Sequence, residues 1–424
     1  MLTLRLIREE KDKLIKQLRI KNFEAEELIE KIIKLDDKRR EFQLKKDNLQ
    51  AQLNDISKEI GILYAQKKKE EAEQTKQKTI DIKEKIREYE DLLNDVESEL
   101  NSIIVLLPNI PHESVPAGKT AEDNIIVKQA GDIPNLSIKK PHWDLIKEYD
   151  IIDFELGTKI TGAGFPVYKS KGAKLQRALI NFFLDQAEQV GYVEIQPPLI
   201  VNEDSGFGTG QLPDKEGQMY HIGLDNFYLI PTAEVPITNL YRNVILEEKD
   251  FPIKNVAYSA CFRREAGSWG AHVRGLNRLH QFDKVEIVQI AKPENSYSVL
   301  EEMKNYVESL LIKLELPYRI LKLCGGDISF TAALTYDFEV FSAAQERWLE
   351  VSSVSNFEDF QTNRLKLRYR PENEKKTRLA HSLNGSALAL PRIMAAIIEN
   401  YQTEQGIVVP KVLRDFTGFD IIEK

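Results

Sequence analysis

The sequence predicts an α+β protein, with a long antiparallel helical hairpin followed by a larger body of strands and helices. Three observations carry this. Apolar residues repeat at heptad spacing through the first hundred or so positions, and three prolines in nine residues (Pro108, Pro111, Pro116) then end the pattern. Beyond them, apolar runs of strand length enclose a cationic loop. A chain of 424 residues, 42% hydrophobic and 30% charged, is long enough for one large domain and a smaller one.

The arm comes first. Leu28, Leu35, Phe42, Leu49, Ile56 and Leu63 recur every seven residues, with Ile32, Arg39, Lys46, Leu53 and Ile60 four further on. This is a coiled-coil seam with two long cationic side chains in its middle. Ile82, Ile86, Tyr89, Leu93, Val96, Leu100 and Ile103 alternate at spacings of four and three. Residues 66–74 between the two runs are polar and are expected to form the turn. At ~1.5 Å per residue each leg extends roughly 50 Å. No proline and no glycine except Gly61 interrupts residues 1–107, so the arm is expected to be rigid. It is too thin to hold an active site, and can only reach a partner or dimerise.

The prolines place a boundary between an arm, residues 1–105, and a body, residues 106–424. Residues 124–131 read as a short edge strand, and His142 opens a helix. Leu175, Leu179, Phe182, Phe183, Ala187 and Val190 mark a longer helix that Gly191 ends. A strand follows, broken by Pro197 and Pro198. Gly206-Phe-Gly-Thr-Gly lacks the lysine of a phosphate-binding loop and is expected to be a mobile loop near a site.

The hairpin has strands near 256–262 and 282–290 and a loop carrying three glycines and four arginines. Arg263 and Arg264 sit at a strand end, where a guanidinium can clamp a phosphate or carboxylate. Phe282 and Glu286 stand at even spacing, so they share a face. Such a floor suits a nucleotide beside an ammonium group; ordinary surface ion pairs are the alternative. Thr232 and Glu234 share a face if extended, or Thr232 caps the helix that follows. Glu350 and Ser352 lie on one face of a strand and Ser353 on the other, unless a bulge intervenes. Residues 382–402 read as a strand leading into a helix that starts near Pro391 and carries Arg392.

Composition excludes several classes. No apolar run approaches the roughly 20 residues that cross a bilayer. Acidic residues near the N-terminus do not suit a signal peptide, so a cytoplasmic location is expected. Cys261 and Cys324 cannot build a disulfide framework and have no zinc spacing. The net charge of −8 argues mildly against a nucleic-acid partner. Residues 1–103 hold 23 basic and 24 acidic side chains, however, which leaves room for positive stripes on the arm.

Phe262-Arg263-Arg264-Glu265 with Arg278-Leu279-His280-Gln281-Phe282 resembles motif 2 of the class II aminoacyl-tRNA synthetases, in the form found in the seryl-tRNA synthetase family. Other segments follow in that family's order. They are the proline connector, a helix and strand similar to motif 1, Thr-x-Glu at 232–234, Glu-x-Ser-Ser at 350–353, and a motif 3 segment at 382–402. One departure is Ala387, where most of the family has a glycine.

The resemblance implies a class II catalytic domain with an antiparallel sheet flanked by helices, acting as a homodimer without a membrane. It implies ATP-dependent attachment of L-serine to tRNA(Ser), and to tRNA(Sec) where present, through a seryl-adenylate, with Mg2+. Serine would be held by Thr232, Ala233, Glu234, Arg263, Glu286 and Ser386. ATP would be held by Arg263, Arg264, Glu265, Leu279, Phe282, Glu350, Val351, Ser352, Ser353 and Arg392. Of these, Glu350 and Ser353 would carry the metal, and Arg263 and Arg392 would stabilise charge during catalysis. The arm would grip tRNA through Arg39, Arg40, Lys45, Lys46, Lys83, Lys85 and Arg87, each of which could equally be a solvated or seam residue. A ligase acting on a carrier protein, or a non-catalytic scaffold, are the rivals; the intact arm and the retained Arg263, Glu286 and Arg392 speak against them.

Overall fold

The computed structural model describes residues 1–214, 216–265 and 274–424. Gly267 and Gly270 of the cationic loop lie outside the described residues. Contacts divide the chain into two units, Met1–Arg19 with Phe23–Pro108, and Ile20–Asn22 with Asn109–Lys424.

The first unit is helical: α1 (Leu4–Glu9), α2 (Lys11–Ile20), α3 (Glu26–Ala65) and α4 (Lys69–Ile104). Each seam position from Leu28 to Leu63 is buried or half-buried, as the heptads require. Phe42 meets Tyr89 across the hairpin with ring centroids 6.1 Å apart. The turn is shorter than expected. Residues 66–68 suffice, because fully buried Ala72 anchors the first turn of α4 and Glu70 and Glu71 favour a helix N-terminus.

The second unit is built on an eight-stranded sheet. Its strands are β1 (Ile125–Ala130), β2 (Val193–Glu194), β3 (Ile253–Phe262), β4 (Gln281–Ala291), β5 (Tyr318–Lys322), β6 (Leu334–Ser342), β7 (Arg347–Glu358) and β8 (His381–Ala389). Their order across the sheet is β1-β5-β6-β7-β8-β4-β3-β2. All pairings are antiparallel except that of the short edge strand β2 with β3.

Helices α5 (His142–Glu148), α6 (Phe154–Ile160) and α7 (Ser170–Gln189) precede β2, which follows Gly191 at φ +90°. The proline pair splits the expected strand. Its second half, Ile200–Asn202, joins a small sheet with Phe227–Leu229. Alternation along the strands sorts the large sheet into two faces. Val285 and Ile287 of β4 and Tyr336 and Phe338 of β6 enter a core shared with α7, with α10 (Ser296–Lys313) and with α12 (Leu390–Asn400). The opposite face carries polar side chains and lines a cleft.

The glycine-rich segment is not a mobile loop. It forms α8 (Glu203–Thr209), capped by the Asn202 side chain and closed by Gly210 at φ +90°. Glycine is needed there because α8 lies tight against its neighbours. A Cβ on Gly208 would come 2.5 Å from Leu365 Cδ2. No helix among the described residues is long and apolar enough to cross a membrane.

Candidate active site

The cleft has a volume of about 1140 Å³ and opens over β4, β5, β6, β7 and β8. Of the residues singled out from the sequence, Thr232, Glu234, Arg263, Glu265, Leu279, Phe282, Glu286, Glu350, Val351, Ser352, Ser353, Ser386 and Arg392 line it. Two do not. Arg264 is exposed and stacks on Tyr220 with its guanidinium carbon 5.7 Å from the ring centroid. Ala233 is fully buried and packs with Ile237, Ala257 and Val288.

One end of the cleft holds two buried carboxylates. Glu286 Oε1 accepts from Lys284 Nζ and from Asn384 Nδ2, each at 2.8 Å. Its Oε2 accepts from the Thr232 hydroxyl and from Glu234 N–H at 3.0 Å. Thr232 Oγ1 also accepts from Glu234 N–H at 3.3 Å; Ala233 is helical and is the N-cap of α9 (Glu234–Asn239), so Thr232 stands just before that helix, with its hydroxyl facing the cleft, rather than on an extended strand. Glu234 Oε1 accepts from Gln361 Nε2 at 2.5 Å; Gln361 stands on α11 (Phe360–Leu365) and accepts in turn from Ser382. Burial, then the charge of Glu286, pushes the Glu234 carboxyl up to about 7. Ser386 pairs with Glu286 across β8 and β4.

The middle of the cleft is the aromatic and cationic floor. Arg263 donates Nε to the Pro231 carbonyl at 3.3 Å and lies over Phe282, 5.2 Å from the ring centroid. The guanidinium is therefore turned into the concavity it shares with Phe282. Glu265 pairs with Arg278 beside it.

Arg392, in the first turn of α12, donates to the Asn277 carbonyl at 3.1 Å and to the Glu350 carbonyl at 2.7 Å. The turn bearing Asn277 is set by a buried pair. Leu276 N–H donates to His142 Nε2 at 2.8 Å, which leaves Nδ1 to donate to Glu399 at 2.6 Å. Ala387 is fully buried in the core beneath β8 and does not face the cleft, so its methyl group takes no space there.

The question left open on β7 is answered by a bulge. Asp337 pairs with Ser353 and Glu339 with Glu350, with a register shift between Phe338 and Glu339. Residues 337 and 339 share a face, so Glu350 and Ser353 do too. Ser353 Oγ donates to Asp337 Oδ1 at 2.5 Å. Burial and the nearby charge of Glu350 hold the Asp337 carboxyl well above the usual range. No group of three or more His, Cys, Asp or Glu able to hold a metal occurs among the described residues. A carboxylate and a hydroxyl beside an overcrowded acid still fit a hard divalent cation whose remaining ligands are phosphate and water.

Sequence reasoning missed Lys284, Asn384, Gln361 and Asp337. For Lys284 the signal was present: it sits midway between Phe282 and Glu286, so the same alternation places it on the cleft face. On the arm, Arg39 and Arg40 converge with Arg8 on the buried carboxylate of Asp36. Lys45 pairs with Glu41, and Lys46 stands 3.9 Å from Glu90. Lys83, Lys85 and Arg87 are exposed and, among the described residues, enter no ion pair.

Residues 220–401 match the tRNA synthetase class II core domain (G, H, P, S and T), and residues 1–111 match the seryl-tRNA synthetase N-terminal domain. The chain is 48% identical to a serine-tRNA ligase of Salinibacter ruber, over 99% of this chain and 98% of that one. It is 49% identical to a serine-tRNA ligase of Bacillus subtilis, over 91% of each. Its fold superposes with a TM-score of 0.92 on seryl-tRNA synthetase from Pyrococcus horikoshii complexed with ATP, at 34% identity, covering 100% of this chain and 99% of that one. With both halves matched and full-length relatives near half identical, the chain belongs to the seryl-tRNA synthetase family.

Proposed function

We infer that the protein joins L-serine to tRNA(Ser), and to tRNA(Sec) where one is present, using ATP. The serine carboxylate attacks the α-phosphorus of ATP, forming seryl-adenylate and releasing pyrophosphate. A terminal ribose hydroxyl of the tRNA then takes the seryl group and AMP leaves. Reactions of this kind ask mainly for positioning and charge stabilisation.

The observation that carries this reading is the neighbourhood, in one cleft, of a carboxylate-lined small pocket and an arginine over an aromatic ring. Glu234 would receive the serine ammonium, Glu286 would shape the pocket beside it, and Thr232 and Ser386 would meet the serine hydroxyl. Arg263 would bridge the serine carboxylate and the α-phosphate, and Arg392 would meet the γ-phosphate. Phe282 would stack under adenine, with Glu265 accepting from its amino group. Glu350 and Ser353 would hold magnesium, which when bound offsets the phosphate charge.

The body, residues 106–424, would carry the chemistry, and the arm, residues 1–105, would grip tRNA by its backbone and shape. Lys83, Lys85 and Arg87 are the favoured contacts, since Arg39, Arg40 and Lys45 are already committed to acidic partners. Val190, Val193, Leu199 and Ile200 are 38–61% exposed along the segment similar to motif 1, which supports a homodimer that covers them. We place the protein in the cytoplasm, where tRNA and ATP meet.

The test is serine-dependent exchange of pyrophosphate with ATP, followed by charging of bulk tRNA with each amino acid in turn. Serine alone should support both. Arg263→Ala should lower exchange by at least about a hundredfold; unchanged exchange removes Arg263 from its role.

A further inference from the structure

The two carboxylates of the small pocket are held in unlike ways. Glu286, 1% exposed, is held by a cation: Lys284 Nζ, itself buried, lies 2.8 Å from its Oε1 and 3.0 Å from Thr232 Oγ1. Its four acceptor positions are filled by Lys284, Asn384, Thr232 and the Glu234 N–H. The Glu234 carboxylate, 6% exposed, receives, among the described residues, the neutral amide of Gln361, whose own oxygen is tied to Ser382.

The charge balance follows from this. Lys284 cancels Glu286, while among the described residues nothing of opposite charge bonds to Glu234. A buried ion pair is costly to assemble and costlier to break, so a lysine retained at this depth calls for a purpose beyond packing. Arg263, the other cation facing the pocket, donates to the Pro231 carbonyl and lies over Phe282.

We propose that Lys284 is a positioning residue for substrate selection: by cancelling and orienting Glu286, it leaves the pocket one uncompensated carboxylate, Glu234, matched to one substrate ammonium. The inference rests on the serine reading given above. An amino acid with a single positive charge and a neutral hydroxyl completes the pocket. One with a second ammonium in place of the hydroxyl meets Lys284 and is rejected by like charge.

The experiment compares L-serine with L-2,3-diaminopropionate, the isostere bearing an amine where serine has its hydroxyl, in amino-acid-dependent pyrophosphate exchange. Failure of the unaltered protein to use serine would sink the serine reading itself. Given serine activity, Lys284→Met should lower the ratio of kcat/KM for serine over diaminopropionate by at least about tenfold, with KM for ATP unchanged. Lys284→Arg, which keeps the charge, should hold that ratio near its original value. If Lys284→Met does not fold, the ratio is read in Lys284→Gln, whose amide can keep hydrogen bonds without charge and which should show the same fall. An unchanged ratio in a folded neutral variant, or a fall of equal size in Lys284→Arg, overturns the proposal.

Discussion

The titration of Glu234 gives the sharpest test of the small pocket. Its carboxyl is lifted to about 7, first by burial and then by the charge of Glu286, while Gln361, Lys284 and Arg263 pull the other way. Only the ionised form can pair with a substrate ammonium. The ionised share is about a tenth at pH 6, about half at pH 7 and about nine-tenths at pH 8. kcat/KM for serine should therefore rise about tenfold from pH 6 to pH 8, while KM for ATP stays flat.

Folding runs with the opposite sign. A carboxyl raised in the folded state stabilises it below the unfolded value near 4.5 and loses that contribution as pH climbs through 7. The loss is ~3 kcal/mol for a shift of this size. Serine binding restores part of it, so protection by serine against thermal unfolding should grow over the same interval. The assay is pyrophosphate exchange at saturating ATP across the pH series, for the unaltered protein and Glu234→Gln. A flat profile in the unaltered protein, or a rise that persists in Glu234→Gln, would refute the reasoning.

Two further outcomes concern the arm and the packing around α8. Replacing Lys83, Lys85 and Arg87 together by alanine should weaken tRNA charging and lower the salt dependence of tRNA binding by about two to three units in log–log slope. Serine-dependent exchange should be unaffected; its loss would show that these residues serve the fold. Gly208→Ala should cost about 1–3 kcal/mol in urea unfolding, because the added methyl group meets Leu365 and Asn239. A neutral result would mean that α8 can shift away from α11.

Much of the arm and of the cleft floor could be read locally. A heptad needs only its own seven residues, so the seam of α3 appears in the chain before any fold is known. Alternation along a strand is equally local, and it put Phe282 and Glu286 on one face. The glycine-rich segment misled because glycine marks both mobility and close approach, and only the positions of Leu365 and Asn239 tell them apart.

The amino acids by themselves determined the hairpin arm, the cationic floor and, through resemblance, the chemistry to expect. Tertiary structure alone decided how the acids are balanced. Gln361 reaches Glu234 from 127 positions away, and Asn384 reaches Glu286 from 98. The bulge that turns Glu350 and Ser353 to one face depends on how β7 registers with β6. The physical reason is that charge compensation and strand register are relations between distant segments, and such relations exist only once the sheet has brought those segments together.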